Sequence, residues 1–223
     1  MTKNCFLKQT DKGILKKFIP LIERISTDYE GNCYSYCLRQ SASLTLAKFM
    51  ALSLNYTRKN RAILADILEK SKDSIIRSNA IISFGDLLVR FPNEMEHFTG
   101  KIFGCLMDDN FLVKNNALIV LTRLILADMI KPKGHISKIA QLVTDDHLSI
   151  SSSARLFFTE LGKKNNVYIY NYLPDIISNL SGQNGMNETK FQDMIKFLFE
   201  LLEKTRNTES LVAKLCHRFS NTT

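Results

Sequence analysis

An all-α fold of tandem helix pairs is what this chain of 223 residues predicts, on three observations. Apolar residues recur three and four apart through most of its length, which is the spacing of one helical face. Three segments, DSIIRSNAIISFGDLL, NFLVKNNALIVLTRLI and HLSISSSARLFFTELG, align without gaps at a period of 37 residues. Sustained β-branched alternation bounded by turn residues, the mark of a strand, occurs nowhere.

The aligned segments share four columns. Ile76, Val113 and Ile150 form the first, Ala80, Ala117 and Ala154 the second, Phe84, Leu121 and Phe158 the third, and Leu87, Leu124 and Leu161 the fourth. A small alanine within an apolar face lets a neighbouring helix approach, so each segment predicts a buried helix, with the Ala80, Ala117 and Ala154 helices packed in register. A weaker copy precedes them (Leu38, Ala42, Leu46, Phe49) and another follows (Phe191, Ile195, Leu198). Shorter amphipathic segments lie between, at Ile14–Ile25, Arg61–Leu68, Phe98–Met107, Ile136–Val143 and Tyr168–Leu180, and supply the first helix of each pair. Two helices per 37 residues, with Val/Ile, Arg/Lys and Ala at fixed offsets, make the HEAT pattern, in which stacked pairs bury one continuous core. The expected architecture is an α-solenoid of five to six antiparallel helix pairs forming a single domain over residues 1–223, clearest in 57–182 and weaker in 1–56 and 183–223.

One interruption needs its own account: DMIKPKGHISKIA, Asp128 to Ala140. Asp128 to Lys131 is expected to end one helix and Ile136–Val143 to form the next, with Pro132 unable to continue the first and Gly134 relaxing the turn. The stretch follows a helix instead of a strand and lacks GxxxxGK, so a phosphate-binding loop is excluded.

Composition narrows the function classes. With 45% hydrophobic and 23% charged residues, 9 Gly and 4 Pro, the chain can bury a core. Its longest apolar run, Ala117 to Ile130, is broken by Arg123 and Asp128 and falls short of the ~18 residues of a membrane span, so no membrane partner is expected. The first fifteen residues lack an apolar core and a cleavage site, which predicts no secretory signal and an intracellular chain. Cys5, Cys33, Cys37, Cys105 and Cys216 form no CxxC pair and read as reduced thiols. His97, His135, His147 and His217 fall in different repeat units, and no serine nucleophile elbow is present. Neither catalysis, nor a metal, nor a cofactor is expected. The remote enzymatic alternative, a HEAT-like DNA glycosylase, would stack a flipped nucleotide on aromatics, and this chain has no Trp.

Charge is unevenly spread. The net charge is +8; residues 1–61 hold eleven Lys or Arg against four Asp or Glu, whereas residues 62–223 hold nineteen against eighteen. A basic N-terminal end predicts an acidic partner such as DNA or a phosphorylated surface. Its candidates are Lys12, Lys16 and Lys17, together with Arg58, Lys59 and Arg61, which have no acid nearer in sequence than Asp66. A second patch comprises Lys131, Lys133, Lys138, Lys163 and Lys164, diluted by Asp128, Asp145 and Asp146. Arg77 and Lys114 share one repeat column, joined by Arg39 in the weak first copy, and are expected in an acid–base ladder with Asp73 and Asp109 ahead of any DNA contact.

Three longer stretches carry a resemblance. RSNAIISFGDLLVRFPN, NALIVLTRLILADMIKPKGHISKIA and ARLFFTELGKKNNVYIYNYLPDIIS resemble, in order and spacing, successive signatures of the condensin complex subunit 1 family, the HEAT-repeat regulatory subunits of condensin. Lys131, Lys133 and Gly134 match the family's Lys-x-Lys-Gly turn, and Pro132 takes the variable position. The resemblance implies a non-enzymatic scaffold in the nucleus and on mitotic chromosomes, and in the cytoplasm outside mitosis. It further implies a kleisin subunit and a pair of coiled-coil ATPase subunits as partners, with DNA or chromatin contact, in mitotic chromosome condensation. Family chains are several times longer, so this one resembles a segment of their C-terminal part. The alternative reading is a HEAT/armadillo transport or vesicle-coat adaptor, whose basic patches meet membrane phosphoinositides.

Overall fold

The computed structural model describes residues 15–132, 134–164, 166–181, 186–202, 213 and 216, and every regular element among them is helical. These elements form HEAT-type helix pairs. The chain divides into two compact units, Met1–Ile130 and Lys131–Thr223.

The first unit contains α1 (Leu15–Ser26), α2 (Tyr36–Leu52), α3 (Leu54–Lys70) and α4 (Ser74–Arg90). A broken helix follows, made of α5 (Pro92–Met95), a 3₁₀ turn Glu96–Phe98, α6 (Thr99–Gly104) and a second 3₁₀ turn Cys105–Met107, and then α7 (Phe111–Leu126). The long helices α2, α4 and α7 pack side by side in succession, with α1, α3, α5 and α6 against them. Ala42, Ala80 and Ala117 are all buried, and so are Leu46, Phe84 and Leu121, which is the column pattern the repeat predicts. α4 and α7 approach closely: a Cβ on Gly85 would stand 2.7 Å from Val120 Cγ1, so only glycine fits there without a shift.

Helix starts are fixed by side chains. Asp73 accepts from the N–H groups of Ile75 and Ile76, and Asn110, 37 residues on, accepts from Leu112 and Val113, each satisfying donors that the first helical turn leaves free. Between α2 and α3 a single extended residue, Ser53, makes the turn, and Thr57 Oγ1 donates back to Met50 O at 2.7 Å.

The end of α7 differs from the expectation. Its last helical residue is Leu126; Asp128 turns left-handed at φ 56°, its N–H bonding to Ile125 O and that of Met129 to Leu124 O. This is a Schellman termination with Asp in place of the usual glycine. Pro132 therefore does not stop the helix, whose last residue lies six positions earlier. Gly134 does adopt a positive φ, 73°, in the turn before the next helix.

The second unit contains α8 (Ile136–Gln141) continued by a 3₁₀ turn Leu142–Thr144, α9 (Leu148–Lys164), α10 (Asn166–Leu180) and α11 (Glu188–Leu202). Ile150, Ala154, Phe158 and Leu161 are buried along α9, with the Phe157 and Phe158 rings edge to face at 5.0 Å. The weak last copy is rotated about its helix: α11 buries Met194, Leu198 and Leu202, while Phe191 and Ile195 are only half-buried.

Candidate functional site

The N-terminal cations are arranged by neighbouring repeats. Arg58 and Arg61 lie three apart on one face of α3, and both reach Glu94 in α5. Arg58 Nε donates to Glu94 Oε1 at 2.7 Å; Arg61 Nη1 donates to Oε2 at 2.7 Å and to the Glu94 carbonyl at 3.2 Å. Lys59 points the other way and donates to both carboxylate oxygens of Glu23 on α1, at 3.1 Å each. Acids remote in sequence are thus close in space. Arg58 and Lys59 nevertheless stay more than half exposed, so these pairs position the cationic heads without hiding them, and each adds ~0–1 kcal/mol.

Lys17 is exposed on α1, to which Lys16 also belongs; the Lys16 side chain, Lys12 and Lys133 lie outside the described residues. In the second unit Lys131 is exposed and Lys138 half-exposed on α8. Burial, and then the Lys138 charge, hold the His135 imidazole below its ordinary pKa, as expected beside a positive patch. Lys163 pairs with Glu160 at 2.8 Å one turn back on α9, and Lys164 is exposed. Asp146 is bound to Lys190 at 2.6 Å.

Arg77 pairs with Asp108 instead of Asp73, because Asp73 is engaged as the cap of its own helix. The guanidinium meets the Asp108 carboxylate with two bonds, Nη2 to Oδ1 at 2.9 Å and Nε to Oδ2 at 3.1 Å, and spans from α4 to the turn before α7. Lys114 is half-exposed on α7. Arg39 lies over the loop between α1 and α2: a Cβ on Gly31 would fall 2.8 Å from its Nη2. Asp28 holds that loop. Its Oδ1 accepts from the N–H groups of Gly31 and Asn32 and its Oδ2 from those of Cys33 and Tyr34, all at 3.0–3.1 Å. Burial works to raise the Asp28 pKa, but the four donors outweigh it and hold the carboxyl below its ordinary value. Sequence reasoning missed this residue, although an Asp three positions before a Gly is a turn signal.

Among the described residues no three His, Cys, Asp or Glu side chains gather as a metal site. Cys33 and Cys37 are exposed free thiols, Cys216 is exposed, Cys105 is buried with its pKa pushed up to about 11, chiefly by that burial, and Cys5 lies outside the described residues. No helix among them is long and apolar enough to cross a membrane.

Residues 75–223 match the family described as non-SMC mitotic condensation complex subunit 1. The Condensin-1 complex subunit CAP-D2 of Arabidopsis thaliana is 42% identical over 83% of this chain, and Condensin complex subunit 1 of Xenopus laevis 42% identical over 92%. That of Homo sapiens is 40% identical over 93%. The chain spans 13% of the Arabidopsis relative and 15% of each of the other two. A match to two thirds of the residues, joined to this identity over nine-tenths of the chain, makes it a member of the condensin complex subunit 1 family.

Proposed function

We propose that the chain is a non-enzymatic scaffold segment of a condensin-type complex that compacts mitotic chromosomes. Its relatives' membership of a condensin complex is the observation that carries this reading. A stacked-helix array suits the role, since it offers long continuous surface and holds it rigid through a shared core. The partners are a kleisin subunit and a pair of coiled-coil ATPase subunits, and the setting is the nucleus and the mitotic chromosome. Co-expressed with a kleisin subunit, the chain is expected to co-purify with it in stoichiometric amount by mass spectrometry. Steady recovery with vesicles and no kleisin would sink the reading in favour of a coat adaptor.

DNA contact is the second part of the proposal. Lys12, Lys16 and Lys17, together with Arg58, Lys59 and Arg61, supply a phosphate-binding set that reads no base edges, because Lys and Arg neutralise backbone charge and release counterions. Binding to a duplex is expected at ~10⁻⁴–10⁻⁶ M at physiological salt and to fall steeply as salt rises. Arg58, Lys59 and Arg61 are poor first targets for charge reversal, since a Glu there would face Glu94 or Glu23 and disturb the fold. Reversing Lys12, Lys16 and Lys17 to Glu is the cleaner test. By fluorescence anisotropy it should weaken binding more than reversal of Lys131, Lys133 and Lys138 does; the opposite ranking would move the contact to the Lys-Pro-Lys-Gly turn.

A further inference from the structure

In the first unit, the outward face of the long-helix layer is apolar in a regular way. Ile75, Ile82 and Val89 stand seven residues apart on α4, and Leu112 and Ile119 seven apart on α7, all between 39% and 52% exposed. Leu126, half-buried, completes the second set. Seven residues are about two turns, ~10.5 Å, and packed helices lie ~8–10 Å apart, so these six aliphatics form a grid two wide and three high. Single exposed aliphatics need no explanation, whereas a contiguous patch of this kind marks an interaction surface.

Charge on the same face says what covers it. Asp86 on α4 and Arg123 on α7 are 37 residues apart, the repeat period, and so share one height between the middle and last apolar rows. Both are exposed. No ion pair engages either one among the described residues, although Arg58, Lys59, Arg61, Arg77 and Lys101 of the same unit all find carboxylates on other elements.

We propose that this face docks on the same face of a second copy of the chain, about a two-fold axis parallel to α4 and α7 and midway between them. Rotation about such an axis preserves the height of every residue and lays α4 of one copy over α7 of the other. Ile82 then meets Ile119, and Asp86 of each copy meets Arg123 of the other, twice over. The interface is isologous: one patch serves both sides, because its opposite charges sit on opposite sides of the axis. A footprint of roughly 20 by 20 Å on each copy buries about 1,000 Å² in total, at the low end for a specific contact. The dimer is therefore weak, with a dissociation constant of the order of tens of micromolar.

Sedimentation equilibrium of the whole chain tests this between about 5 and 500 µM, a span that brackets that constant. The wild-type chain is expected to pass from monomer to dimer. Asp86→Arg and Arg123→Asp should each weaken association at least about tenfold, since each sets like charges together twice. An equimolar mixture of the two variants should associate again, because the arginine introduced in one then faces the aspartate introduced in the other, while the unaltered Arg123 and Asp86 pair as before. Both positions are exposed, and circular dichroism melting checks that the variants remain folded. A wild-type chain that stays monomeric throughout overturns the proposal; so do single variants that dimerise like the wild type, and so does a mixture of folded variants that remains monomeric.

Discussion

Phe84→Ala is expected to destabilise the 1–130 unit by about 3–5 kcal/mol, the cost of emptying a buried aromatic site that cannot fully collapse. Phe84 is fully buried in the middle of α4, the helix against which both α2 and α7 pack, and its ring meets that of Phe98 edge-on at 6.1 Å. One deletion therefore loosens two helix–helix contacts and the broken helix carrying Phe98. In urea unfolding the loss should shift the midpoint with little change in slope, and in thermal unfolding it should lower the midpoint of this unit by roughly 10 °C or more. Phe84→Leu, which keeps most of the volume, should cost about 1–2 kcal/mol. A shift under about 3 °C for the alanine variant would mean that the column of Phe84 and Leu121 does not bear the packing assigned to it.

The period of 37 residues was legible because stacking forces the same face inward in each repeat: Ile76, Ala80, Phe84 and Leu87 are buried on α4, and Ile150, Ala154, Phe158 and Leu161 on α9. The first helices were less legible at their ends. The expected helix Arg61–Leu68 runs from Leu54 to Lys70, and its opening turns are held by polar residues that no apolar pattern reveals. Thr57 and Asn60 are buried there, bonded to Met50 O and Tyr56 O. Segment Phe98–Met107 begins earlier, at Pro92, and is broken by 3₁₀ turns. The cations of the candidate site are visible in the sequence, but their partners are not, because a spacing of three or four residues pairs charges only within one helix. In stacked pairs a near neighbour in space is about one repeat away. Arg58–Glu94 and Lys59–Glu23 are each 36 residues apart, and Arg77–Asp108 31, so opposite charges scanned near the repeat period would have found them.

The 31-residue pair makes the second strong prediction. Arg77→Met is expected to cost about 2–4 kcal/mol, somewhat less than the ~3–5 of breaking a fully buried pair, because the two side chains retain 15% and 18% exposure. The loss is more than one contact. Arg77 Nη1 also donates to Ser71 O at 2.8 Å, at the end of α3, and Asp108 Oδ1 accepts from Asn110 N at 2.9 Å, ahead of α7. The guanidinium thus ties the end of α3 and the start of α4 to the turn from which α7 begins. Arg77→Lys keeps the charge but not the planar fork, and should recover only part of the stability. Asp108→Asn on the Arg77→Met background should recover more, since Asn still accepts the Asn110 N–H and strands no charge. Cys105 gives a local readout. Burial raises its pKa most, Asp108 raises it further and Arg77 lowers it, so loss of Arg77 without opening makes the thiolate rarer and slows thiol labelling. Opening of the turn acts in the reverse direction, exposing Cys105 to the reagent. Faster labelling of Cys105 relative to the exposed Cys33 and Cys37 in Arg77→Met is the expected result, because a stranded carboxylate draws water into the turn. Slower labelling with an unchanged unfolding midpoint would show that the Arg77–Asp108 pair orients the turn without holding it shut.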